Sequence, residues 1–273
     1  MAVDMTKNYA YGDEYWQGTE VAYGIVYGNV DLPWEWTPDY RIRCVLYPYF
    51  LALPLWIVKT LGLDGTWWIT RLAPYLAHMI LVLLSDAFFF KLAKKILGTR
   101  AAKISFIIYF TNSYFNRFII RCFANSVEST IHLVVFYYFY DITSRFDKNL
   151  TIVAFALALA TSIRNTSIIG WIPLLLVKMF QKGAIIPFIM TGVLVALPTL
   201  GLVVIMDSIY YGQFTVTAFN FFKVNVFKNL SAEFGVHKPL TYFNEFLPEA
   251  LGWQYLLLVI SAYSFGMASW RKR

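Results

Sequence analysis

Residues 184–206 read AIIPFIMTGVLVALPTLGLVVIM and carry no charged side chain. At about 1.5 Å of rise per residue, a helix over this run exceeds the ~30 Å of hydrocarbon in a bilayer. One such stretch predicts a membrane-crossing helix, and composition extends the reading to the whole chain. Hydrophobic residues make up 59% and charged residues only 14%, with a mean hydropathy of +0.55. A soluble domain has nearer ~45–50% and ~25%. The class is therefore an all-α polytopic membrane protein.

Other apolar runs flank this one. Residues 250–270 form a second full-length candidate. Residues 73–90, 104–120 and 125–142 are shorter and need flanking residues or local thinning to cross. Residues 150–163 and 168–180 are too short for straight spans and meet at Arg164-Asn165-Thr166, which predicts a broken or hairpin pair buried in protein. Residues 44–62 are apolar but hold Pro48 and Pro54, which predicts an interfacial or re-entrant pair of short helices rather than a straight span.

The net charge of +7 arises from 23 bases and 16 acids. In an apolar chain it sets orientation and does not point to nucleic acid. Basic groups follow alternate runs: Lys91, Lys94, Lys95, Arg100 and Lys103; Arg145 and Lys148; Lys178 and Lys182; Arg271, Lys272 and Arg273. The positive-inside rule assigns all four to the cytosol. Four parts result: an acidic luminal segment with juxtamembrane helices (1–72), a transmembrane bundle (73–206), a luminal aromatic loop (207–249), and a last span with a basic cytosolic end (250–273). This topology leaves a polar amino-terminal tail in the lumen, which predicts a preceding span in a longer protein. Sequons occur at Asn149, Asn165 and Asn229, and only Asn229 falls on a roomy luminal loop. Cys44 and Cys122 form neither a disulfide framework nor a zinc spacing.

The most polar long stretch near the start is 12–43. It holds Asp13, Glu14, Glu20, Asp31, Glu35 and Asp39, and runs through Trp34-Glu35-Trp36 to Arg41 and Arg43. If 13–20 is helical, Asp13, Gln17 and Glu20 share a face. Carboxylates gathered beside a membrane suit general-base work on a hydroxyl; a solvated acidic helix is the plain alternative. Arg121, Asn125 and Glu128 stand at i, i+4 and i+7, and share a face if one helix continues there. They read either as an Arg–Glu pair joining two helices or as a cationic site for a lipid phosphate. Arg164, at the break, either lines a cavity or snorkels from a helix end. In 207–249, Asp207, Tyr211, Asn220 and His237 lie among aromatics that either stack on sugars or form an interfacial belt.

Taken in order, Asp13-Glu14-Tyr15-Trp16-Gln17 with Glu20, Trp34-Glu35-Trp36, Arg41 through Tyr47-Pro48, Arg121 with Asn125 and Glu128, and Asp207-Ser208 through Tyr211-Gly212-Gln213, Phe219-Asn220-Phe221 and His237 resemble the Dol-P-mannose-dependent mannosyltransferases of glycosyltransferase family 22. The likeness runs from about residue 12 to 252 and is strongest to the branch that acts in GPI-anchor assembly. It implies the type C glycosyltransferase fold in the endoplasmic reticulum membrane. It further implies transfer of an α-1,2-linked third mannose from dolichyl phosphate mannose to a GPI glycolipid on the luminal side. The site residues it implies are Asp13 and Glu14 for catalysis, Arg121, His237 and Arg164 for the donor phosphate, and Gln17, Glu20, Trp34, Glu35, Trp36, Tyr211 and Asn220 for the acceptor and sugar. No cofactor or metal is expected. A sister mannosyltransferase of N-glycan precursor assembly or of the fourth GPI mannose is the nearest rival, and a transporter or an inactive scaffold the different-class alternative.

Overall fold

The computed structural model describes residues 12–28, 30–142, 147–181, 183–227, 238 and 240–270. Every regular element among them is helical. The first, α1, runs over 12–27 as Gly12–Glu14, a π-turn at Tyr15–Thr19, and Glu20–Tyr27. A 3₁₀ turn at Trp34–Trp36 leads to α2, Leu46–Thr60. Then come α3, Trp67–Phe110, α4, Ser113–Ile119, α5, Ala124–Tyr140, α6, Lys148–Ile163, and α7, Trp171–Gln181. The long α8, Ile185–Tyr211, carries a π-turn at Gly192–Ala196. Short helical turns over Thr217–Phe227 and Tyr242–Leu251 precede the final helix, Gln254–Trp270.

Among the described residues, α3 and α8 are by length and composition able to cross a membrane, with a third crossing if the bent pair α4–α5 is one span. Along α8, Leu194, Leu197, Leu202 and Ile209 are all more than 60% exposed. An apolar side left uncovered over such a length suits lipid rather than water.

Two sequence expectations need correction. The 44–62 stretch is one helix, not a pair. Pro48 falls in its first turn, where the missing N–H has no helical partner to lose. Pro54 is interior, but Leu51, Ala52 and Leu55 around it are fully buried and hold the helix against α1 and α3. The 104–120 run is not one span either. α3 folds back at Gly98, whose φ of 80° only glycine adopts freely. The return arm lies against the first: Tyr109 donates to Asp86 at 2.8 Å, and Phe89 stacks on Tyr109. That arm stops at Phe110. Asn112 then caps α4, accepting from the Phe115 amide at 2.6 Å. A second break precedes α5, bent by 106° from α4. By contrast, α6 and α7 are broken apart at Arg164, as the sequence predicts, but α7 is not buried in protein: Val177 and Phe180 are 54% and 63% exposed.

The bundle has chemically distinct ends. Lys95 pairs with Asp141 and also donates to the Tyr137 carbonyl, and Lys178 reaches the Tyr140 carbonyl. Tyr75 lies twenty residues before Lys95 on the same arm, about 30 Å away along the helix. There, α1 meets the α4–α5 break. His78, fully buried, ties this level together: one ring nitrogen contacts the Tyr47 hydroxyl at 3.1 Å and the other the Ile119 carbonyl at 2.9 Å.

α1 enters this end through Gly18. A Cβ there would lie 3.1 Å from the Cys122 carbonyl oxygen and 3.3 Å from Leu51. Gly18→Val should therefore destabilise the detergent-solubilised protein by about 1–3 kcal/mol, seen as a lowered Tm. Gly65→Ala, with nothing within 4 Å of the added carbon, should leave Tm in place.

Candidate active site

The acidic stretch is helical, but Gln17 and Glu20 face different cavities. The π-turn at Tyr15–Thr19 breaks the α-helical register. Asp13 is exposed and makes no ion pair among the described residues. Gln17 lines a small crevice with Trp36 and Arg43, whereas Glu20 lines a cleft with Trp67 and Tyr75.

Glu14, one residue after Asp13, is fully buried. Its Oε2 accepts from Arg121 Nη1 at 3.1 Å. Its Oε1 accepts from the Tyr75 hydroxyl at 3.2 Å and from the Cys122 amide at 3.4 Å. The loop between α4 and α5 supplies both the cation and an amide, because its backbone there is outside any helix. The expectation that Arg121 continues the helix of Asn125 and Glu128 therefore fails. The pairing is exchanged: Arg121 turns to Glu14, while Asn125 and Glu128 hold Arg164. Arg164 Nε lies 3.0 Å from Glu128 Oε2, and the same guanidinium bonds Asn125. Beside this pair, His132 meets the Ser167 hydroxyl at 2.7 Å and packs on Trp171.

The remaining candidates form a clamp. Glu35 pairs with Arg43 at 2.6 Å. Trp36 is buried against Tyr210 and Tyr211. The Tyr211 hydroxyl donates to the Arg43 carbonyl at 2.7 Å, and the Asn220 amide to the Arg41 carbonyl at 3.1 Å. Arg41 is the non-glycine with positive φ, 44°, among the described residues. Asp207, fully buried, accepts from the Val45 amide and the Thr217 hydroxyl, each at 2.8 Å. Burial and the nearby Asp207 push the Cys44 thiol well up, so it stays neutral. Trp34 packs edge-on against Tyr40. His237 lies outside the described residues. No cluster of three or more His, Cys, Asp or Glu able to hold a metal occurs among the described residues.

Tyr75, His78 and the clamping role of Asp207 escape sequence reasoning. Their partners lie between 10 and 162 positions away, and no local spacing announces them.

A family model for Alg9-like mannosyltransferases matches residues 2–272. The chain belongs to that family. It is similar to GPI alpha-1,2-mannosyltransferase 3 of Bos taurus, 32% identical over 88% of this chain and 44% of the relative. It is similar to GPI mannosyltransferase 3 of Trypanosoma brucei brucei, 32% identical over 92% of this chain and 50% of the relative. The Drosophila melanogaster GPI mannosyltransferase 3 is 28% identical over 92% and 43%. The chain thus spans about half the length of the curated relatives it matches. No solved structure matches it. The mannosyltransferase family match encloses Asp13, Glu14, both arginines and the clamp.

Breaking a buried ion pair from one side leaves an uncompensated charge, at a cost of about 3–5 kcal/mol. Glu14→Gln and Arg121→Met should each sharply reduce the monodisperse fraction of solubilised protein. The double variant should recover part of the loss. Additive losses in fluorescence-detected size exclusion would show that the two side chains act independently.

Proposed function

We propose that the protein acts as an inverting α-1,2-mannosyltransferase of GPI-anchor assembly. It takes mannose from dolichyl phosphate mannose and adds the third mannose to the glycolipid precursor, on the luminal face of the endoplasmic reticulum membrane. In this reading the helices adopt the type C glycosyltransferase fold. α1, α2 and the 31–45 segment are its luminal juxtamembrane parts. Support comes from the family, from the names of the relatives, and from the separation of a basic end from an end rich in paired acids and arginines.

The observation that carries the reading is the division of labour between adjacent carboxylates. Glu14 is buried with both oxygens engaged, whereas Asp13, about 3.8 Å away along the backbone, is exposed. A general base must reach the proton it removes and must be released from other partners. Asp13 meets that need, and Glu14 sets its place.

The bond between mannose C1 and the phosphate oxygen breaks, and a bond from C1 to the acceptor oxygen forms on the opposite face. The acceptor hydroxyl proton passes to Asp13, and dolichyl phosphate leaves with its negative charge. Arg121 and Arg164 each keep N–H donors beyond those used in their ion pairs, since a guanidinium has five. They stabilise that charge, with His237 assigned beside them by resemblance. Glu20 faces the acceptor cleft, and Gln17 the crevice beside Trp36. Trp34, Glu35, Trp36, Tyr211 and Asn220 are assigned to sugar contacts by resemblance and belong to the clamp on that second side.

Loss of a general base lowers rates by about 10²–10⁴-fold. Asp13→Asn, in the whole protein expressed in cells lacking the endogenous enzyme, should lose mannose transfer to that extent while remaining in the membrane fraction. Transfer of radiolabelled mannose by microsomes measures it, and normal transfer by the variant removes Asp13 from the role.

A further inference from the structure

We infer that the cleft between α1 and the start of α3 seats the hexose chain of the glycolipid acceptor. The inference rests on the mannosyltransferase reading and extends it to residues that reading does not use. The cleft has a volume of about 330 Å³ and is lined by Thr19, Glu20, Tyr23, Asp64, Trp67, Arg71 and Tyr75, among others. That size falls within the range of small-molecule sites.

Its chemistry selects the occupant. Among the described lining residues, Glu20 and Asp64 bring two carboxylates against the guanidinium of Arg71, so the donor's phosphate meets more repulsion than attraction from them. A polyhydroxylated chain meets no such penalty and finds hydrogen-bond acceptors. The aromatic rings supply apolar faces for the C–H surfaces of sugars. Tyr23 is stacked on Tyr27 at 4.6 Å, and Tyr27 is in turn held by Lys59 over its ring and by a bond to the Leu55 carbonyl. This platform is fixed in advance, which lowers the entropic cost of binding.

Two further observations point to a ligand. The Thr19 hydroxyl is buried with no hydrogen-bond partner among the described residues, a state that costs free energy unless something fills it. Thr19 also ends the π-turn that walls the cleft, and such turns recur at functional sites.

Placement completes the case. The inner end stops at Tyr75, which donates to Glu14, so a sugar seated there ends one hydrogen bond from the proposed catalytic pair. The outer end opens beside Trp67 and Trp68, 67% and 52% exposed at the start of an apolar arm. Exposed indoles mark the level of lipid headgroups. Between Trp67 and Tyr75 the helix rises about 12 Å. An amphiphile can leave its tail in the bilayer there and pass its sugars inward.

The test uses Tyr23→Ala, Asp64→Asn and Trp67→Ala in the whole protein. In microsomes, each should raise the KM for acceptor by about tenfold, as expected for losing one good contact, while the KM for dolichyl phosphate mannose stays within twofold. A shift in donor KM, or intact acceptor KM in all three, overturns the inference. A second arm titrates the purified protein with an octyl dimannoside by isothermal calorimetry, with no transfer required. Binding by the wild type that Asp64→Asn weakens supports the cleft even where transfer is absent, in which case only the catalytic reading falls. No binding by the wild type overturns the cleft even where transfer is intact.

Discussion

One buried carboxylate governs the polar end of this protein. Glu14 has no exposure, and an ionised group in that position is tolerated only with a counter-charge and satisfied oxygens. Those partners come from two places in the chain: Arg121 and the Cys122 amide from a break between helices, and Tyr75 from the first turns of α3. α1 can dock only where all three converge. The approach is close enough that any Cβ at position 18 would crowd the Cys122 carbonyl at 3.1 Å. The break at 120–123 is therefore more than a loop. A continuous helix would have aimed Arg121 along the α5 face and sealed the Cys122 amide into the ladder, leaving Glu14 with neither.

The same logic recurs at the other acid. Asp207 is buried at the end of α8 and draws in the Val45 amide and the Thr217 hydroxyl from either side. Through it, the chain before α2 and the chain after α8 become one wall. Tyr211 and Asn220 add bonds to backbone carbonyls. Backbone acceptors demand no particular side chain in return, so the clamp holds Arg41 in an uncommon conformation. Both acids act as organisers because burial makes their hydrogen bonds strong and their absence costly.

How much of this was legible depends on range. The class, the long α8, the break at Arg164 and the basic end follow from hydropathy and charge over windows of about twenty residues. The acidic motif stood out by composition. What failed were statements of register. The face shared by Asp13, Gln17 and Glu20 assumed 3.6 residues per turn, and the π-turn at Tyr15–Thr19 removes that premise. The Arg121–Glu128 pairing assumed an unbroken helix. Pro54 was read as a breaker because helix propensity ignores the packing of Leu51, Ala52 and Leu55, which overrides it here. The clamp was visible only as a set of residue types, since an amide of Asn220 reaching the carbonyl of Arg41 leaves no mark on spacing.

The two arginines at this end share an electrostatic logic. Each is held by one glutamate, Arg121 by Glu14 and Arg164 by Glu128. A lone guanidinium near hydrocarbon would cost heavily, and one whose donors were all spent on its glutamate could hold no further anion. A planar fork escapes that conflict: one edge satisfies the carboxylate while other N–H groups stay directed elsewhere. The carboxylates that hold the arginines are thereby spent, so on the proposed reading proton transfer falls to an acid with no ion pair among the described residues. Asp13 is such an acid, exposed beside the pair, whereas Glu20 and Asp64 lie along the cleft. On the proposed reading, Arg121 and Arg164 stand where charge leaves, and Asp13 and Glu20 where a hydroxyl must be held and stripped of its proton, with Asp64 and Arg71 further along the cleft.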